Sequence, residues 1–179
     1  MQVDEIAYGA TARAFHWVTA ALVLTMIPAG LVMLSAPSGW IQNFLFDYHR
    51  SCGVVLFIIT AAWLVWRWKN PPAAIPEDIP LPQRIVAHIV HILLYALLLV
   101  QPVVGWIGTS AYGAPIKVFW LFTLPPIVDK DKATADTFLG LHETLGLLMT
   151  ALVLMHIAGA LFHHFVRRDR TLMRMVAGA

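Results

Sequence analysis

The sequence predicts an all-α integral membrane protein, a bundle of four transmembrane helices. Three observations lead there. Hydrophobic residues make up 59% of the 179 residues and charged residues only 12%, about half the charge of an ordinary soluble domain. The mean hydropathy is +0.73. Four apolar stretches, 14–34, 48–67, 85–109 and 137–166, are long enough to cross a hydrocarbon layer about 30 Å thick.

The first stretch is too long for a cleaved signal sequence, and the "SAPSGW" that follows it is a weak cleavage site, so it reads as a span that stays. The second is short if counted from Cys52 and needs Tyr48, His49 and Arg50 as its first turn. Between spans two and three, "KNPPAAIPEDIPLP" (69–82) has five prolines and reads as an extended linker. The longest connection, 110–136, contains "IKVFWLF", expected to lie along the membrane interface, and its acidic end leads into span four. Pro28 and Pro102 read as kinks within their spans. No internal repeat or separate soluble domain is visible. The single Cys52 can make no intrachain disulfide and is expected to pack between helices.

Lys and Arg set the orientation. Arg13, Arg67, Lys69, Arg84, Arg167, Arg168, Arg170 and Arg174 fall on the side of the termini, against Arg50, Lys117, Lys130 and Lys132 on the other. Eight against four places both termini in the cytoplasm of a bacterial inner membrane. Trp17, Trp40, Trp63, Trp66, Trp68, Trp106 and Trp120 lie mostly near span ends, as an interfacial belt would. Lipid is the expected surrounding, and no nucleic-acid partner is expected.

Span four contains "HETLGLLMTALVLMH", which begins at His142 and ends at His156. Fourteen helical steps rise about 21 Å and turn about 1400°, so the two rings share nearly one face, four turns apart. Depth sorts four histidines into two couples: His49 with His142 near the outer face, and His16 with His156 near the cytoplasmic face. Polar residues in a span are costly and mark function. One such histidine alone would read as a packing or hydrogen-bonding residue; two depth-matched couples are harder to assign that way. Two imidazoles facing each other across a bundle suit bis-histidine haem, which is flat enough to slot between helices. Zinc would want four ligands, and each depth offers two obvious ones. With no C-x-x-C-H the haems, one per couple, would be non-covalent and b-type.

Gly53 and Gly146 lie one turn after His49 and His142, and Gly30 lies fourteen residues after His16 at the depth of the outer couple. Bare backbone there would let a porphyrin approach; ordinary small-residue helix packing is the alternative. His88, His91, His163 and His164 gather at the cytoplasmic ends of spans three and four. His163, His88 and His91 are candidates for haem propionates or a quinone headgroup, with contact to lipid headgroups as the alternative and the preferred reading of His164. Arg13 and Arg67 are candidates to neutralise propionates.

The ordered set "ARAFHW" (12–17), "YHRSCGVVLF" (48–57), "RWKNPP" (67–72), "AHIVHILLYALLLVQPVVGW" (87–106), "LHETLG" (141–146) and "MHIAGALFHHF" (155–165) resembles the prokaryotic cytochrome b561 family. Cys52 stands where members often carry another small residue. The resemblance implies the same four iron ligands, His16, His49, His142 and His156, in the same couples. It also implies electron transfer between the outer face and the quinone pool, with ubiquinone the usual acceptor. One branch oxidises superoxide at the periplasmic surface; other relatives are cytochrome b subunits of hydrogenases or dehydrogenases. A chain ending at Ala179 fits the stand-alone branch.

Two functions follow. A superoxide:ubiquinone oxidoreductase needs an electropositive site for its anionic substrate, and Arg50 and Lys117 are the candidates, with solvated loop cations as the alternative. Lys130 and Lys132 are offset by Asp129, Asp131 and Asp136. A non-catalytic electron conduit would instead dock a redox partner protein on the 110–136 loop. A transporter lacks support, since no broken helix carries an intramembrane carboxylate.

Overall fold

The computed structural model describes residues 8–71 and 78–178, so residues 72–77 of the proline-rich linker lie outside the description. Four long helices dominate: α1 (Ala10–Met33), α2 (Trp40–Lys69), α3 (Leu81–Tyr112) and α4 (Lys132–Phe162). Each has the length and apolar content to cross a membrane. All four run past the expected spans at one or both ends. The apolar runs mark only the lipid-facing middle, whereas polar turns such as Gln42–Asp47 continue the helix beyond it.

Local chemistry sets the ends. Pro80 precedes α3 and Pro82 sits in its first turn, where a missing N–H costs nothing. Gly113, at φ 85°, ends α3 in a left-handed cap whose N–H reaches Ser110 and Thr109 carbonyls. Asp131 caps α4 by accepting the Thr134 N–H at 2.8 Å. These bonds hold its carboxyl below the usual carboxylate range.

The 110–136 connection departs from the expectation of an all-α chain. It holds a small antiparallel hairpin, β1 (Ile116–Val118) and β2 (Phe122–Leu124), with Ile116 opposite Leu124. The turn puts Phe119 and Trp120 at φ 44° and 60°, uncommon for bulky residues. Ser51 of α2 holds it. The Ser51 Oγ accepts the Phe119 N–H at 2.8 Å, and its one proton lies within reach of the Asp47 carbonyl at 2.6 Å and the Lys117 carbonyl at 3.0 Å. Trp120 stacks on Phe44, 5.9 Å between centroids. This is the hairpin end of the bundle.

At the opposite, terminal end, a π-helical turn (His163–Arg167) follows α4 and leads to a short α5 (Thr171–Val176). The C-terminal segment folds back on α1: Trp17 Nε1 donates to the Met175 carbonyl at 3.0 Å and Arg13 to the Val176 carbonyl at 3.2 Å.

Close backbone approach runs along α1–α2, α3–α4 and α2–α3, while α4 is not close-packed against α1 or α2. Only Ala135, Met149 and Leu152 of α4 are buried. Met149 and Leu152 meet Val23, Met26, Cys52 and Leu56 in a core set, along α4, between His142 and His156. Cys52 is 1% exposed and unpaired, so it does pack between helices.

Candidate functional site

Helix pairing brings the four histidines together as two facing couples. The His49 and His142 rings lie 5.9 Å apart at the hairpin end, and His16 and His156 lie 6.1 Å apart toward the terminal end. Two opposed metal–imidazole bonds of about 2 Å each, plus the ring radii, require about this separation. Among the described residues no cluster of three or more His, Cys, Asp or Glu side chains is arranged to hold a metal ion. A metal between either couple would therefore need its remaining ligands from a planar chelate. These residues fit haem.

The hairpin-end couple is held from behind. His49 Nδ1 lies 3.1 Å from the Met26 carbonyl, and His142 Nδ1 lies 3.1 Å from the Gln101 carbonyl. A carbonyl only accepts, so each Nδ1 carries the proton and each Nε2 keeps its lone pair for a metal. Gln101 grips His142 twice, because its side-chain Nε2 also donates to the His142 backbone carbonyl at 3.0 Å.

Glycines make this fit possible, in part differently from the expectation. A Cβ on Gly30 would meet the His49 ring at 2.8 Å, so Gly30 makes room for the imidazole itself where a porphyrin was expected. Gly105, which the sequence reading missed, does the same for His142, at 3.0 Å. Gly146 faces the Gln101 amide at 3.3 Å, while Gly53 faces open space. The signal was present in "MIPAG" (26–30) and "QPVVG" (101–105): each runs from the accepting carbonyl to the glycine four residues on.

The terminal-end couple has aromatic surroundings. His16 meets Trp63 and Trp17 edge-on, and Phe15 stacks on Trp63 at 6.1 Å. His91 stands 5.0 Å from His156, closer than the two partners of that couple are to each other. Arg67 donates to the Tyr95 hydroxyl at 2.8 Å and lies over its ring. Arg13 is committed to the C-terminal segment, and His88 is exposed. His163 is part of a different cluster: its Nδ1 lies 2.6 Å from Asp169 Oδ2, which also accepts from Arg167 Nε at 3.2 Å. Burial pushes the Asp169 carboxyl up, but hydrogen bonds from His163 and Thr171 outweigh it and hold the group down to about 2. Asp169 had no place in the sequence reading. Arg67, Arg13 and His163 are thus each held by different neighbours.

At the hairpin end Arg50, next to His49 in the chain, donates to the Pro115 carbonyl at 3.3 Å and lies over Phe46. Lys117 is exposed on β1, its backbone tied to Ser51. Lys132 pairs with Asp136, which removes it as a free cation.

Residues 7–178 match the family model described as prokaryotic cytochrome b561. The chain is 36% identical over 172 residues to cytochrome b561 homolog 2 of Escherichia coli (strain K12), covering 94% of this chain and 90% of that protein. It is 27% identical over 162 residues to cytochrome b561 homolog 1 of the same organism, covering 90% and 92%. It is 26% identical over 162 residues to the probable superoxide oxidase CybB of Yersinia pestis, covering 90% of each chain. With its four membrane-spanning helices and facing imidazoles, this chain belongs to the prokaryotic cytochrome b561 family of multi-pass, b-type haem proteins that transfer electrons in membranes.

Proposed function

We propose that the protein carries electrons through two b haems, from superoxide at the hairpin end to ubiquinone at the terminal end. The observation that carries this reading is the pair of facing couples, His49 with His142 and His16 with His156, about four helical turns apart on α4. The hairpin end is periplasmic, and both termini are cytoplasmic in the bacterial inner membrane, in line with the distribution of Lys and Arg. Haem bound at each couple supplies one-electron storage.

The chain's own residues do the rest. His49 and His142 present Nε2 from rings fixed by backbone carbonyls, so ligation needs little reorganisation. Arg50 and Lys117 give the hairpin end the positive charge an anionic donor needs. Two superoxide anions give up one electron each and leave as O2. One ubiquinone takes both electrons and two protons to become ubiquinol. His163, its Nδ1 held by Asp169, is placed at the terminal end to hand on a proton. His88, His91, Arg13 and Arg67 line the same end, for the quinone headgroup or haem propionates.

The test is stopped-flow mixing of oxidised protein with superoxide, followed at the haem bands, and then with ubiquinone. Fast reduction followed by reoxidation is expected. No reduction by superoxide would favour a second reading, a cytochrome b subunit conducting electrons for a partner dehydrogenase or hydrogenase. The hairpin's Trp120, Leu121 and Phe122, 56%, 82% and 55% exposed, offer an apolar face for such a partner.

A further inference from the structure

The two couples differ in what stands behind them. At the hairpin end both rings donate Nδ1–H to a backbone carbonyl, His49 to Met26 and His142 to Gln101, each at 3.1 Å. The construction is the same on α1 and α3. The accepting carbonyl is the one whose ordinary helical partner is the glycine four residues on, Gly30 or Gly105. That glycine also leaves the space in which the ring lies. At the other couple His16 Nδ1 is buried and has no hydrogen-bond partner among the described residues.

An imidazole that donates its N–H to an acceptor is a stronger electron donor to the metal on its other nitrogen. Stronger donation favours the more highly charged metal, hence the oxidised state. We infer that the His49–His142 couple is the low-potential end of the electron path, with Gly30, Gly105 and Gln101 as the positioning residues that make it so. One electron placed there then passes downhill to the oxidised His16–His156 site, leaving the first oxidised and the second reduced. The direction of flow is built into the second layer of contacts around the ligands. The inference rests on the reading of both couples as haem sites; purified protein with fewer than two haems fails that reading, whatever its potentials.

The test is potentiometric titration of the full chain, followed at the haem bands, with electron paramagnetic resonance of the ferric forms. Wild type is expected to titrate in two steps. His16→Ala, which keeps the hairpin-end ligands, should show a single step near the lower midpoint, and His49→Ala one near the upper. Gly30→Ala and Gly105→Ala push the rings off their carbonyls. Each should raise the lower midpoint, leave the upper in place, and change the resonance of one haem. Gly140→Ala, where a Cβ meets nothing within 4 Å, should move neither. The inference is overturned if His16→Ala titrates near the upper midpoint. It is equally overturned if the glycine variants keep both haems and the lower midpoint does not rise. Should the glycine variants lose haem, the two ligand deletions still decide.

Discussion

His163 and Asp169 form a short contact at the terminal end, 2.6 Å from Nδ1 to Oδ2, in which the carboxylate also takes bonds from Arg167 and from the Thr171 N–H. The geometry fixes which ring nitrogen is free. If that nitrogen serves a quinone, Asp169→Asn and His163→Ala should leave both haem spectra unchanged and slow reoxidation by ubiquinone about tenfold. Wild-type reoxidation in His163→Ala and in His88→Ala would move the quinone to the hairpin end.

The same carboxylate makes a prediction about pH. Its folded value of about 2 lies below the ordinary 3.8, so the contact stabilises the fold above about pH 4. That contribution fades as pH falls through about 2, because protonation removes the charge. The melting-temperature gap between wild type and Asp169→Asn should therefore close as pH falls below about 4.

Ligand pairing is separable by deletion. His49→Ala and His142→Ala should lose the same haem, His16→Ala and His156→Ala the other, read from haem content and low-spin signals. Loss of one and the same haem from His49→Ala and His156→Ala would refute the pairing. His91 adds a specific risk, since at 5.0 Å from His156 it is placed to substitute for His16. The His16→Ala protein should then be checked alongside His16→Ala/His91→Ala.

Ser51 ties the hairpin to α2 beside His49, with three backbone groups on one buried hydroxyl. Ser51→Ala leaves the Phe119 N–H without its acceptor and should cost about 1–3 kcal/mol. The strained Phe119–Trp120 turn should open first, seen as faster proteolysis within 116–124 and a shifted Trp120 emission.

Arg50→Gln and Lys117→Gln together should slow reduction by superoxide several-fold and flatten its dependence on ionic strength, with haem spectra intact. An unchanged rate and salt dependence would show that neither cation guides the donor. Arg50 has the further role of holding Pro115, so the single Lys117→Gln variant separates charge from loop position.

The sequence by itself determined the class of the molecule and the membership of each couple. Span lengths, the depth of each histidine and the helical rise are one-dimensional quantities, and the rings of His16, His49, His142 and His156 meet as those quantities require. The hairpin was legible too, in the apolar–polar alternation of Ile116, Lys117 and Val118, but was read as an interfacial stretch. Tertiary structure decided what stands behind the ligands. Whether Gly30 faces a porphyrin or the His49 ring depends on how α1 and α2 are rotated against each other, which a periodic apolar pattern on lipid-facing helices leaves open. The carbonyls of Met26 and Gln101 are backbone atoms that every residue has, so no residue type could announce them. Asp169 gained its role only because a π-helical turn and the left-handed Arg168 bend the chain back onto His163. Burial of polar groups within a bundle makes such contacts energetically important, and only packing tells which groups are paired.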